Sequence, residues 1–385
     1  MQRKCLSGKG LGHTCCLLPL GTVRYSQYRI TMTYLSISTS NIARLDRGQG
    51  LELLQTLPLL ELGRMAFERK RILHGDRVSF VRNRQINLTN RCVNSCAFCG
   101  FSVKAGDSTG YELDEAGIAA LVDEPGLKEI HIVSGLWPSW NFERSVNLVR
   151  FIRGRRPDIW IKAFTAVELD YFARASCGGD MNVVLSTLMQ AGVNQLPAGG
   201  AEVFSDRVRR LLCPEKISGA EWLAIHRLAH ESGLPSNASL LFGHIETDEE
   251  IVDHLLALRE LQDATHGFQA FIPLAYQPGK TNVVRRPASA TRCLQIVALA
   301  RLLLDNIPHV KAYWPSLQIE TAVAALNFGA DDLDGTLGRE RIMKTAGSAG
   351  PEQATTELLE RMCRQAGQHL FERDGAYNAV GDCLC

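Results

Sequence analysis

The sequence predicts an α/β fold, namely a TIM-like (β/α) barrel of parallel strands with a helical segment before it and an extension after it. Short apolar runs alternate with amphipathic stretches of ten to sixteen residues, which is the pattern of successive βαβ units. A length of 385 residues is enough for such a barrel with additions at both ends. Glycine and polar residues collect directly after the apolar runs, where a parallel barrel has its active site.

The first 45 residues differ in composition from the rest of the chain. They contain several lysines and arginines but no acidic residue before Asp46, as transit peptides do. The alternative is that the start codon is placed too early and that Met32 is the true first residue. We therefore expect residues 1–45 to be a disordered leader or a misplaced start.

The remaining chain divides into three predicted parts. A helical segment covers 46–84, a barrel covers 85–345, and a helical extension covers 346–385. In the first part, the apolar spacing predicts a helix over 51–73 that ends near Gly75. The predicted strands are 85–88, 129–133, 159–163, 193–196, 238–242, 268–272 and 309–312. The predicted helices between them are 142–153, 182–191, 219–232, 248–263 and 291–305.

Composition argues against several classes of protein. The net charge is +1 and no basic patch with interleaved aromatic residues occurs, so a nucleic-acid partner is not expected. No apolar run reaches 18 residues, so no membrane span is predicted. Twelve cysteines without paired spacings in a chain of this length do not suit a secreted disulfide scaffold. We predict a cytoplasmic enzyme.

Three cysteines follow the first predicted barrel strand. Cys92, Cys96 and Cys99 have the spacing C-x3-C-x2-C. Three thiolates can hold three irons of a [4Fe-4S] cluster and leave the fourth iron open, whereas an electron carrier normally has four cysteine ligands. A zinc site would need a fourth ligand at matching spacing, and the next cysteine, Cys177, is 78 residues away. Phe98 lies within the trio, where an aromatic ring can shield a cluster from water.

The same spacing is typical of radical S-adenosylmethionine (SAM) enzymes, in which SAM binds the open iron. Polar and glycine residues that follow the predicted strands are candidates for a ring of loops facing the cluster. Each has an alternative role as a turn glycine or as an acidic residue at the start of a helix. These candidates are Ser134, Gly135, Thr165, Glu168, Gly199, Gly200, Glu202, His244 and Glu246.

Five stretches carry a resemblance to a known family. The chain resembles the aminofutalosine synthases, which are radical SAM enzymes of the futalosine route to menaquinone, from about residue 45 to Val380. The stretches are 86–99 (INLTNRCVNSCAFC), 162–168 (KAFTAVE), 209–216 (RRLLCPEK), 243–247 (GHIET) and 327–336 (NFGADDLDGT).

The resemblance implies a radical SAM barrel that holds a [4Fe-4S] cluster through Cys92, Cys96 and Cys99 and consumes SAM as a co-substrate. It implies addition of the adenosyl radical to 3-[(1-carboxyvinyl)oxy]benzoate, with 6-amino-6-deoxyfutalosine and bicarbonate as products. An electron donor such as flavodoxin or ferredoxin is implied as a partner. SAM contacts are expected at Ser134 and Gly135, which stand where the family usually has two glycines, and at Thr165, Glu168, Gly199, Gly200 and Glu202.

The implied substrate carries two carboxylates, and carboxylates favour arginine partners. Arg207 and Arg210 belong to a basic cluster that ends at Lys216, so we expect both arginines to bind substrate. The alternative is a solvated helix face. His244 and Glu246 are the expected catalytic pair, because a histidine at a strand end can donate to a carboxylate or move a proton. Asp332, in a predicted loop, is expected to bind the ribose of SAM or to cap a helix.

Two other functions remain open at this point. One is a related radical SAM enzyme that abstracts hydrogen, such as the dehypoxanthine futalosine cyclase or the deazaflavin-forming enzymes. The other is a non-catalytic iron–sulfur electron carrier, which would need a fourth ligand from Cys177, Cys213 or Cys293.

Overall fold

Parallel strands make up the centre of the protein. The computed structural model describes residues 44–281, 283–336, 338 and 340–381, and the chain from Arg44 onward forms one unit. The leader predicted over 1–45 therefore lies, except for its last two residues, outside the described residues. The described strands are β1 (Arg77–Val81), β2 (Asn83–Ile86), β3 (Glu129–Ile132), β4 (Trp160–Lys162), β5 (Ser236–Phe242), β6 (Phe268–Ala275), β7 (His309–Val310), β8 (Asp332–Gly335) and β9 (His369–Glu372).

Pairing closes these strands into a ring. β2, β3 and β4 form one parallel sheet, β5, β6 and β7 a second, and β8, β1 and β9 a third. Only Arg82 separates β1 from β2. Because β1 pairs with β8 and β2 pairs with β3, this stretch joins the first sheet to the third and closes the ring. The chain thus forms the predicted (β/α) barrel, and β9 is an extra strand beside β1. Isolated parallel bridges join the three sheets at Lys162–Gln195, Leu196–Ser236 and Lys311–Asp332.

Helices alternate with the strands, as predicted. Many begin at a side chain that accepts a hydrogen bond from the first turn; Thr165, Ser218 and Thr247 each form a capping box with a glutamate three residues later. None of the helices in the described part of the chain has the length and hydropathy needed to cross a membrane. The helices are α1 (Arg47–Thr56), α2 (Leu59–His74), α3 (Glu115–Val122), α4 (Phe142–Arg155), α5 (Ala166–Ser176), α6 (Met181–Ala191), α7 (Asp206–Leu212), α8 (Gly219–Glu231), α9 (Asp248–Thr265), α10 (Ala290–Leu303), α11 (Trp314–Leu317), α12 (Ile319–Ala325), α13 (Arg341–Ala346) and α14 (Thr356–Gln365).

The structure corrects the predicted N-terminal helix. Residues 51–73 do not form one helix, because α1 ends at Thr56 and α2 begins at Leu59. Pro58 lies between them, and a proline disfavours the helical conformation at the residue before it. Leu57 accordingly has an extended backbone, with ψ of 132°. The segment 46–84, expected to be helical, also contains β1 and the first residues of β2.

Two further expectations about secondary structure differ from what is observed. The strand predicted over 193–196 is reduced to bridges at Gln195 and Leu196, which connect β4 to β5. The extension over 346–385, predicted to be helical, contributes α14 and then β9, which pairs with β1. Its last four residues lie outside the described part of the chain.

Candidate active site

The loops at the carboxyl ends of the strands and the inner faces of the strands surround a cavity of about 290 Å³. Cys92, Cys96 and Cys99 all line this cavity, together with Phe98 and Phe101. The position agrees with the rule that barrel enzymes have their active sites at the carboxyl ends of the strands. Residues 92–99 are called the cysteine loop below.

Backbone hydrogen bonds and one ammonium group hold the cysteine loop in place. The N–H of Cys92 donates to the carbonyl of Val103 at 3.1 Å. The ammonium of Lys104 donates to the carbonyls of Cys92, Val93 and Asn94, at 3.3, 2.9 and 2.6 Å. The ammonium therefore ties three consecutive carbonyls together and fixes the backbone around the first cysteine.

The donor set suits a [4Fe-4S] cluster held by three ligands. The three cysteines are free and half-buried, and the N–H of Ser102 points to Sγ of Cys99 at 3.4 Å. Burial raises the pKa of Cys96 to about 12, so a positive group such as iron is needed to keep this sulfur ionised. The electron-carrier hypothesis needs a fourth cysteine, but the described lining of the cavity does not include Cys177, Cys213 or Cys293.

Gly135 allows the loop after β3 to touch the cysteine loop. A Cβ atom on Gly135 would lie 2.1 Å from the carbonyl oxygen of Arg91 and 3.2 Å from Cβ of Cys92. Backbone cannot move aside as a flexible side chain can, so this position requires a glycine. The close approach places the loop after β3 directly against the first cysteine.

Ser134 contributes to the scaffold through its hydroxyl and to the cavity wall through its position. Its Oγ accepts a hydrogen bond from the N–H of Leu88 at 2.8 Å. A glycine could not make this bond, which joins the loop after β3 to the segment that leads into the cysteine loop. Ser134, which replaces the first of the two glycines usual in the family, therefore stabilises this loop.

Thr165 and Glu168 line the cavity at the start of α5. The Glu168 carboxylate accepts from the N–H and the hydroxyl of Thr165, at 2.8 and 2.7 Å, and from the N–H of Ser134 at 3.1 Å. Only 4% of Glu168 is exposed, and this burial raises the pKa of the carboxyl to about 7. Glu168 therefore links the loops after β3 and β4 and can change protonation near neutral pH.

Gly199 and Gly200 form the next part of the wall. Gly200 has φ of +89°, in the left-handed region that favours glycine. The guanidinium of Arg209 donates to the carbonyls of Gly200 and Ala201, at 3.3 and 2.8 Å. Arg209 belongs to the basic cluster that the sequence singled out, but it is buried and holds this loop through backbone carbonyls.

Glu202 also lines the cavity, where it pairs with Lys216 at 2.5 Å. Burial alone would lower the pKa of Lys216, but its contacts with Glu202 and Cys96 hold that pKa above its ordinary value. The ammonium lies 5.0 Å from the centre of the Phe98 ring. Lys216 is thus the member of the predicted basic cluster that reaches the cavity.

The structure does not bring the expected catalytic pair to the cavity. Nε2 of His244 is 2.9 Å from the carbonyl oxygen of Leu241. The Glu246 carboxylate accepts from the backbone N–H groups of Gly243 and His244, at 2.6 and 2.9 Å. Neither His244 nor Glu246 is among the lining residues, and the two side chains stabilise the turn after β5.

The expected substrate arginines also lie elsewhere. Arg207, on α7, pairs with Glu250 at 2.6 Å and donates to the carbonyl of Ile245 at 2.7 Å. Arg210 is exposed on the same helix. Neither arginine lines the cavity, which favours the alternative of a solvated helix face.

Asp332 lies in β8 and not in a loop, so its predicted location was wrong. Its carboxylate accepts from Nε of Arg373 at 2.7 Å and from the hydroxyl of Ser79 at 2.8 Å. It is fully buried and is not among the lining residues, whereas Asp334 on the same strand is. A ribose contact from Asp332 is therefore not supported.

Sequence reasoning missed the polar residues of the barrel interior. Interiors of this fold are usually filled by branched apolar side chains. In β3, however, Ile130 and Ile132 belong to the hydrophobic core, whereas Glu129 and His131 line the cavity. This alternation is visible in the sequence and could have identified them. Other polar side chains on the wall include Gln85, Lys162, Asn237, Ser239, Lys311, Tyr313 and Asp334.

Comparison with known proteins gives two family matches and several close relatives. Residues 86–258 match the radical SAM superfamily, and residues 265–381 match the CofH/MqnC C-terminal region. The chain is 41% identical to the aminodeoxyfutalosine synthase of Thermus thermophilus, over 88% of this chain and 92% of that protein. It is 39% identical to the aminodeoxyfutalosine synthase of Streptomyces coelicolor, over 88% of this chain and 91% of that protein.

A differently named relative and two solved structures complete the comparison. The chain is 36% identical to the 5-amino-6-(D-ribitylamino)uracil–L-tyrosine 4-hydroxyphenyl transferase of Methanoculleus marisnigri, over 87% of this chain and 94% of that protein. Methylornithine synthase (PylB) matches with a TM-score of 0.68 at 19% identity, over 85% of this chain and 94% of that one. The FeFe-hydrogenase maturase HydG from Carboxydothermus hydrogenoformans matches with a TM-score of 0.64 at 16% identity, over 87% of this chain and 77% of that one. The two structures support the barrel fold.

Proposed function

The chain belongs to the aminodeoxyfutalosine synthase family of radical SAM enzymes, and on this basis we propose that it acts on 3-[(1-carboxyvinyl)oxy]benzoate. In this reaction the adenosyl group of SAM is joined to the enol ether and methionine is released. The carboxylate of the vinyl group leaves and, with one water, becomes bicarbonate, and 6-amino-6-deoxyfutalosine is formed for menaquinone biosynthesis. The relative that is 36% identical carries the name of a different transferase, so family membership alone does not define the substrate.

The observation that supports this proposal most is the shared cavity. The three cysteines line the same space as the residues expected at SAM, which are Ser134, Gly135, Thr165, Glu168, Gly199, Gly200 and Glu202.

A bound [4Fe-4S] cluster would be held by Cys92, Cys96 and Cys99 and would supply the open iron and the electron for SAM cleavage. The protein's own residues then position the co-substrate. Lys104 fixes the cysteine loop through three carbonyls, and Gly135 brings the loop after β3 against it. The carboxylates of Glu168 and Glu202, which follow the strand ends and line the cavity, are acceptors for the amino and hydroxyl groups of SAM.

The aromatic substrate has an apolar part of the wall available. Leu241, Ile272, Leu274, Tyr276 and Tyr313 line the cavity from β5, β6 and the segments that follow β6 and β7. Such side chains bury an aryl ring and exclude water from the reacting atoms. These five side chains therefore give the wall an apolar part that suits the aryl ring.

We also propose that the enzyme works in the cytoplasm with flavodoxin or ferredoxin as its electron donor. The described cysteines are free, as expected in a reducing compartment. A small acidic electron carrier would supply the electron that dithionite supplies in vitro.

The test is an anaerobic incubation of the reconstituted enzyme with SAM, dithionite and 3-[(1-carboxyvinyl)oxy]benzoate, followed by mass spectrometry. We expect a product that contains both the adenosyl group and the aryl ring. Free 5′-deoxyadenosine as the main product would favour a hydrogen-abstracting enzyme, and an absence of SAM cleavage would favour an electron carrier. Either result would overturn the proposal.

A further inference from the structure

Three side chains form a row across neighbouring strands of the barrel interior. Gln85 of β2 is the register partner of His131 in β3, and His131 is the register partner of Lys162 in β4. Register partners in a parallel sheet project from the same face, and all three side chains line the cavity. Gln85, His131 and Lys162 are called the interior row below.

Two buried polar atoms of the interior row have no hydrogen-bond partner among the described residues. These are Oε1 of Gln85 and Nε2 of His131. Only 7% of Gln85 is exposed. Buried polar atoms of folded proteins are nearly always paired, and an unpaired one costs free energy. Because both atoms belong to side chains on the cavity wall, a polar group of a ligand can supply the missing partner.

The third member of the row adds a positive charge. Nζ of Lys162 lies 3.0 Å from Oε2 of Glu129, and an ammonium has three N–H donors, so further donors remain for a ligand. Glu129 also faces the guanidinium of Arg373, at 3.9 Å. The charge of Glu129 is therefore shared between two cations. A half-turn of the Gln85 amide exchanges Oε1 with its NH2 group, which then faces the same space. Lys162 through Nζ, His131 through Nε2–H and Gln85 through this NH2 group can together donate to one planar anion.

The interior row lies deeper than the loops around the cysteines. His131 comes three residues before Ser134, and Lys162 comes three residues before Thr165. At about 3.3 Å per strand residue, this separation is roughly 10 Å. The apolar side chains of Val133 and Leu274 line the cavity as well. A ligand that reaches from the loops to the row therefore passes through surroundings that suit an aromatic ring.

We propose that Gln85, His131 and Lys162 form the subsite for the aryl carboxylate of the substrate, an inference that rests on the proposed function. The vinyl group must meet the adenosyl group beside the cysteine loop, so the carboxylate on the ring points away from it toward the row. This carboxylate is kept in the product, whereas the one on the vinyl group is lost. The three residues thus act in positioning and in specificity and do not take part in the chemistry.

The test compares two substrates, the carboxylated one and its analogue without the ring carboxylate, (1-carboxyvinyl)oxybenzene. The measurement is kcat/KM for formation of the adenosyl adduct. A site that hydrogen-bonds a charged group discriminates against a ligand lacking it, and we expect wild-type enzyme to prefer the carboxylated substrate by about 100-fold. In Gln85→Leu and His131→Phe enzymes this preference falls to about tenfold or less, through loss of activity on the carboxylated substrate alone.

The matched control is His226→Phe. His226 is a buried histidine whose Nε2 also lacks a partner, but it packs between α8 and β5, where its Nδ1 lies 2.7 Å from Oγ of Ser236. We expect this variant to keep the full preference. Since the preference is a ratio measured within each variant, partial loss of folded protein does not change it.

Two results would overturn the inference while the proposed function stands. One is that wild-type enzyme forms the adduct and that Gln85→Leu and His131→Phe enzymes keep the wild-type preference for the carboxylated substrate. The other is an equal fall for both substrates, which indicates a purely structural row. If wild-type enzyme forms no adenosyl adduct with the carboxylated substrate, the proposed function itself fails. The three outcomes are therefore distinguishable in one experiment.

Discussion

The carboxylate of Glu168 accepts a hydrogen bond from the backbone N–H of Ser134 at 3.1 Å, which connects the loop after β4 to the loop after β3. Ser134 in turn holds the segment before the cysteine loop, through the bond from Leu88 to its hydroxyl. The cysteine loop and the two neighbouring loops are thus one hydrogen-bonded unit. Its geometry depends on side chains that are not themselves ligands of a cluster.

Glu168 gives a testable pH dependence. Burial raises the pKa of its carboxyl from an ordinary value of 4.5 to about 7. Between these two values the unfolded chain loses the proton while the folded protein keeps it, so the free energy of unfolding falls as the pH rises. The loss across this window is about 3 kcal/mol. Denaturant unfolding of wild-type and Glu168→Gln apoprotein should therefore differ in pH slope between pH 5 and 7. Equal slopes would contradict the raised pKa.

Gly135→Ala should prevent cluster loading. The new Cβ would lie 2.1 Å from the carbonyl oxygen of Arg91, so the cysteine loop must shift. We expect iron and sulfide contents well below those of wild type after anaerobic reconstitution. Gly154→Ala is the matched control, because a Cβ there has no neighbour within 4 Å in the described structure and alanine favours the interior of α4. Wild-type iron and sulfide contents in the Gly135→Ala protein would contradict the close contact between residue 135 and the Arg91 carbonyl.

Lys104→Met should make a bound cluster more labile. The substitution removes the donor to three carbonyls of the cysteine loop but leaves the three thiols in place. We expect the rate of iron loss to a chelator to rise about tenfold, as for a loss of about 1.4 kcal/mol in a charged hydrogen-bond network. Arg150→Met on α4, whose guanidinium bonds to Asn147, serves as a control and should lose iron at the wild-type rate. Identical rates for the two variants would remove the role of Lys104.

Substitutions of Glu202 and Lys216 should have strongly non-additive effects on the free energy of unfolding. Lys216→Met leaves the Glu202 carboxylate half-buried without its cation, and the broken pair should destabilise the protein by about 3 kcal/mol. Adding Glu202→Gln in the same chain should restore most of that loss, because no unpaired charge then remains. The free energy of unfolding of the two single variants and the double variant measures the coupling. Additive effects would mean that the ion pair is not a structural unit of the wall.

Arg210→Gln and His244→Gln test whether these two residues belong to the substrate site. Arg210 is exposed on α7 and His244 bonds within its own turn, so neither side chain should contact substrate. We expect the KM for the aromatic substrate to stay within about twofold of wild type in both variants. A rise of tenfold or more in either variant would return that residue to the substrate site.

The barrel was predictable because its signal is repeated along the chain. The strands β2 to β7 fall within or beside the apolar runs that predicted them, and the helices between them have clear spacing and caps. β1 lies in the segment 46–84 that was expected to be helical, and β8 was not predicted because Leu333 is its one apolar side chain. The strand predicted over 193–196 has just two bridging residues, Gln195 and Leu196, which are too few to show an alternation of apolar and polar residues. The break at Pro58 was also visible, but the apolar spacing on both sides of it suggested one continuous helix.

The candidate site was predictable only where a sequence motif defines it. The cysteines and the residues directly after the strands lie together, since parallel strands end at one edge. His244 and Glu246 also follow a strand, yet their polar atoms bond within the turn. Whether these side chains face the cavity or bond within the turn depends on the backbone geometry of the turn, which the spacing of residues in the sequence does not define. Lys162 was missed because a charged residue within an apolar run is usually interpreted as facing solvent, whereas in this barrel it faces the enclosed cavity.

The central claim is that the adenosyl group of SAM ends in the product. The direct measurement uses SAM labelled isotopically in its adenosyl carbons, with reconstituted enzyme, a reductant and 3-[(1-carboxyvinyl)oxy]benzoate under anaerobic conditions. The account predicts that the label appears in an adduct with the aryl ring, with one adduct formed for each methionine released. Label recovered mainly in free 5′-deoxyadenosine, with the aromatic substrate otherwise changed or unchanged, would contradict it.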